Sequence, residues 1–109
     1  MNQWDIYTWD FPDGPGPHPA VIISHPRHVA LKTTVNVLYC ASQRASRLAE
    51  KNEVMLDQAD GLNWETLCRC DQIWLARKTD LKQWRGAVVG ERQTAIVQRI
   101  IASFGWRTY

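Results

Sequence analysis

Four prolines fall within eight residues near the start of the chain, at Pro12, Pro15, Pro17 and Pro19, with Gly14 and Gly16 between them. Proline lacks a backbone N–H and has a locked φ, so this run excludes a helix and disfavours regular strand pairing. Residues Pro12 to Pro19 are therefore expected to form a stiff, exposed loop. Both flanks are constrained in turn. Before the loop, Asp5 to Phe11 (DIYTWDF) alternates in character and is rich in aromatic and β-branched side chains, as suits a strand with two different faces. After it, Ala20 to Ser24 (AVIIS) is a short continuous apolar run, which reads as a buried strand rather than a helix.

The same reading continues along the chain. Val35 to Ser42 (VNVLYCAS) is a second apolar strand, and Glu53 to Leu56 is a short one. Asp60-Gly61 supplies a turn before a further strand around Thr66 to Asp71, which Ile73 to Ala76 continues; Trp84 to Val89 forms another. From Glu91 to Phe104 the period changes. Ile96, Val97, Ile100, Ile101 and Phe104 recur at helical spacing and Gly105 follows as the stop, so a terminal helix is expected to lay this stripe on the sheet. The expected fold is mainly β with a terminal helix (α+β), a strongly bent sheet or small barrel.

At 109 residues the chain suits one domain, taken as residues 1–109. A net charge of +2 gives no general grip on nucleic acid, so polyanion binding would need a local patch. Arg44 and Arg47 offer one, and Arg77, Lys78, Lys82 and Arg85 another; a solvated polar face explains the same residues. No stretch approaches the roughly 20 apolar residues that span a bilayer, and the beginning MNQWDIYTWDF has neither a basic nor an apolar signal region. A cytoplasmic protein without membrane contact is expected. Three cysteines, an odd count, make no disulfide framework and fit a reducing compartment.

Chemistry is most concentrated at Arg69-Cys70-Asp71-Gln72. Side chains two apart on a strand share a face, so Arg69 and Asp71 stand together while Cys68 and Cys70 face the other way. A carboxylate and a guanidinium then lie within reach of one phosphate. The plainer account is a mutual surface ion pair worth under about 1 kcal/mol. Cys68-x-Cys70 and His25-x-x-His28 lack zinc-site spacing, and Pro26 is expected to break any helix that would align the histidines. Buried strand thiols, with Cys40 a core residue, and loop imidazoles are expected instead, with no metal and no cofactor.

The succession DIYTWDF, loop, HPAVIIS, VNVLYCASQ, RCDQI and closing helix resembles the MazF/PemK/Kid family of toxins of bacterial toxin-antitoxin systems, within the CcdB/MazF superfamily. The resemblance spans nearly the whole chain. It implies an SH3-like small β-barrel with a C-terminal helix, a homodimer, metal-independent cleavage of single-stranded messenger RNA, and a cognate antitoxin that covers the RNA groove. The functional stretch of the Kid branch is reproduced as Arg69-Cys70-Asp71-Gln72, where arginine and aspartate are held to be acid and base. Two positions depart from the family pattern. His18-Pro19 stands where the family has Arg-Pro, and Ala41 followed by Ser42 stands where many members end the third strand in a functional Thr.

Metal-free cleavage by the 2′-hydroxyl needs a base, an acid for the departing 5′-oxygen and a cation for the phosphorane charge. Asp71 suits the base. Arg69, which almost never gives up its proton, suits the charge-stabilising role before that of acid. Histidine exchanges a proton near neutral pH, which makes His18 the more natural acid. Ser42, Gln43, Arg44 and Arg47 follow the third strand and are expected to line the phosphate track. Two other readings stay open: a CcdB-like DNA gyrase poison acting through Trp106 in Phe104-Gly105-Trp106, and a catalytically silent relative that keeps only the dimer and the antitoxin contact.

Overall fold

The structure, a computed structural model, describes residues 1–42 and 48–106. Its strands are β1 (Asp5–Phe11), β2 (Gly16–Ile22), β3 (Thr34–Ser42), β4 (Glu53–Leu56), β5 (Thr66–Arg77) and β6 (Lys82–Ala87). Helix α1 covers Pro26–Leu31 and helix α2 covers Gly90–Ser103. The strands form one antiparallel sheet in the order β4-β5-β3-β2-β1-β6, which curls into a half-barrel with α2 packed on β4 and β5. No helix among the described residues is long and apolar enough to cross a membrane.

Burial explains why the apolar runs read as they do. On β2, Val21 enters one core with Ile6, Leu38, Leu56 and Ile96. Its neighbours Ala20 and Ile22 enter a second core with Trp9, Phe11, Val37 and Tyr39 on the opposite face. A strand covered on both faces has no polar side to alternate with.

The proline segment is shorter as a loop than expected. Gly16 to Pro19 already belong to β2, with Pro17 opposite Asp10, His18 opposite Trp9 and Pro19 opposite Thr8. β2 pairs with β3 only over Ala20–Ile22, so at Pro17 and Pro19 it has a strand on one side alone. Two prolines two residues apart place both missing donors along the same edge, where an open side tolerates them.

Pro26 also acts otherwise than expected. It opens α1 at the first helical position, where its missing N–H has no helical partner to lose, and the His25 ring accepts the Arg27 N–H as the cap. His28 therefore lies on a helix rather than a loop. On α2, Ile96 is buried and Ile100 and Ala95 pack on the core, but Val97, and Phe104 just past the helix, are exposed over nearly half of their surface. The apolar stripe is wider than the sheet that receives it. The last strand is Lys82–Ala87, shifted two residues toward the N-terminus from the expected Trp84 to Val89.

Two glycines let the sheet curl. A Cβ on Gly86 of β6 would lie 2.0 Å from the carbonyl oxygen of Asp60, and one on Gly61 would lie 2.8 Å from that of Arg85. The turn that follows β4 thus touches β6, bringing the two ends of the strand order together. Arg92 of α2 pairs with Asp57 and Asp60 of this turn, and Asp60 Oδ1 accepts the Val89 N–H at 2.9 Å.

Candidate active site

The site is built on a break in the β3–β5 ladder. Leu38 faces Ile73 and Cys40 faces Cys68, so Tyr39 alone stands against the four residues from Arg69 to Gln72. β5 bulges there, and the Cys70 N–H turns to the Asn52 carbonyl, at 2.8 Å, just before β4. Such bulges bend a strand and re-aim its side chains.

Alternation holds from Cys68 to Asp71 and is broken beyond it, where Trp74 and Ala76 join the core on the opposite face. Cys68 and Cys70 are fully buried in the core, whereas Arg69 and Asp71 both open onto a cleft of about 300 Å³ with Asn52, Glu53 and Gln72. Arg69 does not pair with Asp71. Its Nε lies 3.5 Å from Oε2 of Glu53, its cross-strand partner on β4, and its Cζ stands 5.3 Å from the Tyr39 ring centre. Asp71 Oδ2 instead accepts from Asn52 Nδ2 at 3.4 Å.

His18 approaches from β2. Its ring centre is 5.2 Å from that of Tyr39, so His18 and Arg69 both rest against one phenol ring. His18 Nδ1 lies 3.3 Å from the Gly16 carbonyl oxygen. A carbonyl can only accept, so a hydrogen bond here requires the hydrogen on Nδ1 and leaves Nε2 without a part in it. Beneath Tyr39, Phe11, Trp9 and Trp74 pack edge to face, which stiffens the floor.

Not every expected residue joins this group. On β3, Tyr39 and Ala41 share one face while Cys40 and Ser42 point to the other, and the Ser42 hydroxyl accepts from Trp64 Nε1 at 3.1 Å. Ala41 is thus the residue nearest the floor side, and it brings no hydroxyl. Gln43, Arg44 and Arg47 lie outside the described residues. Of the second basic stretch, Lys78 Nζ donates to the Val29 carbonyl and Arg85 donates to Thr8, so these two cations are tied into the scaffold, while Arg77 stays exposed in a loose surface pair with Asp80. Trp106 is exposed and stacked on Phe104, with ring centres 4.8 Å apart.

Glu53, Asn52 and Tyr39 escaped the sequence reading as site residues. The one available signal was a glutamate opening an otherwise apolar strand, and only the register shows that it faces Arg69. Hydrogen bonding with Cys40, together with burial, pushes the Cys68 thiol well above its ordinary range, and Cys68 and burial do the same to Cys70. Among the described residues no group of three or more histidine, cysteine or acidic side chains is arranged to hold a metal.

Several solved toxin structures share the overall fold of this chain. An endoribonuclease from a mycobacterial species, solved with its cognate antitoxin, superposes with a TM-score of 0.83 at 18% identity, covering 100% of this chain and 99% of that one. The Mycobacterium tuberculosis toxin MazF-mt6 gives 0.80 at 20% identity over 95% and 99% of the two chains. A MazE-MazF complex from Deinococcus radiodurans gives 0.74 at 12% identity over 98% and 97%. No curated protein sequence matches. The chain belongs to the PemK-like, MazF-like toxins of type II toxin-antitoxin systems, whose family pattern it matches over residues 2–104.

Proposed function

We propose that this protein, one toxin domain over residues 1–109, is the toxin of a type II toxin-antitoxin pair and acts as an endoribonuclease on single-stranded messenger RNA. Family membership and the endoribonuclease neighbours support the reaction class. The observation that carries the residue assignment is the meeting of three groups: Arg69 and Asp71 open onto one cleft, and His18 and Arg69 rest on the same Tyr39 ring.

In this reading Asp71 takes the 2′-hydroxyl proton, the oxygen attacks its own phosphate, and the Arg69 guanidinium stabilises the phosphorane charge. His18 gives the Nε2 proton to the departing 5′-oxygen, leaving a 2′,3′-cyclic phosphate and a free 5′-hydroxyl. Arg69 cannot serve as the acid without losing the charge that makes it useful. The cleft itself holds three carboxylates, Glu50, Glu53 and Asp71, against the two cations Lys51 and Arg69. Attraction for the RNA backbone must therefore come from residues outside it, a role that Arg44 and Arg47 suit by charge, with the Gln43 amide a donor to phosphate or base. Capture by a cognate antitoxin, in line with the antitoxin complexes among the neighbours, completes the reading, together with a homodimer and action in the cytoplasm.

Incubating antitoxin-free protein with a long single-stranded RNA and a chelator tests it. Cleavage is expected, and Asp71→Asn and His18→Gln should each slow it by about two orders of magnitude or more. RNA left intact by the unaltered protein would remove the nuclease reading.

A further inference from the structure

We propose that Glu53 is a positioning residue of this active site: its buried carboxylate holds the Nε edge of Arg69, so that the guanidinium is set for phosphate and Asp71 is left unpaired as the base. The inference rests on the nuclease reading above and adds to it a residue that acts through Arg69.

The geometry makes the division of labour explicit. Glu53 faces Arg69 directly across the β4–β5 ladder, its side chain is only 6% exposed, and Oε2 lies 3.5 Å from Nε. Its other oxygen, Oε1, accepts the Glu50 N–H at 2.9 Å, while the Glu53 N–H is donated back to the Glu50 carbonyl at 3.0 Å. A carboxylate fixed in this way cannot swing out to follow its partner.

Arg69 is held from two sides. Nε is buried and makes no hydrogen bond, so Glu53 meets it as charge against charge, and Tyr39 supports the flat of the guanidinium. About a third of the side chain is exposed, and with Nε enclosed that exposure falls on the rest of it. Among the described residues no hydrogen bond engages Nη1 or Nη2, the two atoms that form the fork for a phosphate.

Two carboxylates compete for this one cation. Were Asp71 to win, the base would be drawn into a forked ion pair and its proton affinity would fall. With Glu53 in place, Asp71 is met by the neutral Asn52 amide. The buried Nε charge would also be left uncompensated without Glu53, which is the costly way to break a buried pair.

Steady-state cleavage of a single-stranded RNA oligonucleotide, with chelator, tests this using Glu53→Gln, which keeps the size and the oxygen for Glu50. Expected is a kcat lower by about 10- to 100-fold with KM changed far less, as for a misplaced group rather than a lost contact. Because Glu53 acts through Arg69, adding Glu53→Gln to Arg69→Ala should cause no further loss. Wild-type kcat in Glu53→Gln, or full additivity in the double variant, overturns the positioning role while the nuclease reading stands. The NMR signal of the Arg69 Nε–H in the unaltered protein gives a second measure should Glu53→Gln fail to fold. Slow exchange with water is expected, and free exchange overturns the proposal. If the unaltered protein leaves RNA intact, both readings fall together, whatever that signal does.

Discussion

The carbonyl oxygen of Asp60 occupies the space where a side chain on Gly86 would begin: a Cβ there would lie 2.0 Å from it. This approach joins the turn after β4 to β6, and Gly86 also has a φ of 156°. Gly86→Ala should cost about 3 kcal/mol or more, since backbone on both sides must move. Gly14 has a positive φ but open space around it, so Gly14→Ala should cost only about 1 kcal/mol. Urea unfolding of the two variants measures the contrast, and equal losses would show that the close approach is relieved cheaply.

Arg92 ties α2 to the same turn. Its bond to Asp57 holds that carboxyl below its ordinary range, the Ala59 N–H adding to the effect, and Asp60 behind it is fully enclosed. Arg92→Ala leaves the Asp60 carboxylate without its cation and should lower stability by about 3 kcal/mol. A lowered folded pKa means that Asp57 contributes its full stabilisation above about pH 4 and loses it as the pH falls through the lowered value. Melting temperature followed from pH 6 to pH 2 should fall through this range, and less steeply in Asp57→Asn. An unchanged slope would assign the acid sensitivity to other groups.

The three cysteines are fully buried, and Cys68 and Cys70 are held protonated well above neutral pH. Thiolate is the reactive form, so a disulfide reagent at pH 8 should titrate no thiol in the native protein and three after denaturation. Rapid native labelling would mean that the core around β5 opens readily.

Trp106 and Phe104 stack at the exposed end of α2, away from any core cluster. Trp106→Ala should leave stability within about 0.5 kcal/mol and RNA cleavage unchanged. Growth arrest that depends on Trp106 while RNA stays intact in the cell would favour the gyrase-poison reading over the nuclease.

Much of this molecule was legible in its residues. The bounds of β1, the apolar runs of β2 and β3, the four residues of β4 and the helical period of α2 each follow from local patterning, because a side chain's alternation or recurrence is a property of the segment itself. The shared face of Arg69 and Asp71 was legible for the same reason. What misled was also local: Pro17 and Pro19 forbid pairing only if both edges of the strand are occupied, and Pro26 stops a helix only if it is not the first residue of one.

Tertiary structure alone decided which residues meet across strands. Ladder register sets Glu53 against Arg69, and the bulge opposite Tyr39 leaves Asp71 to Asn52; neither spacing nor composition carries that information. Residues distant in sequence, such as His18 and Arg69, share a phenol ring because β2, β3 and β5 lie side by side. The physical reason is that a strand's own sequence sets which way its side chains point, while their neighbours depend on how the whole sheet closes.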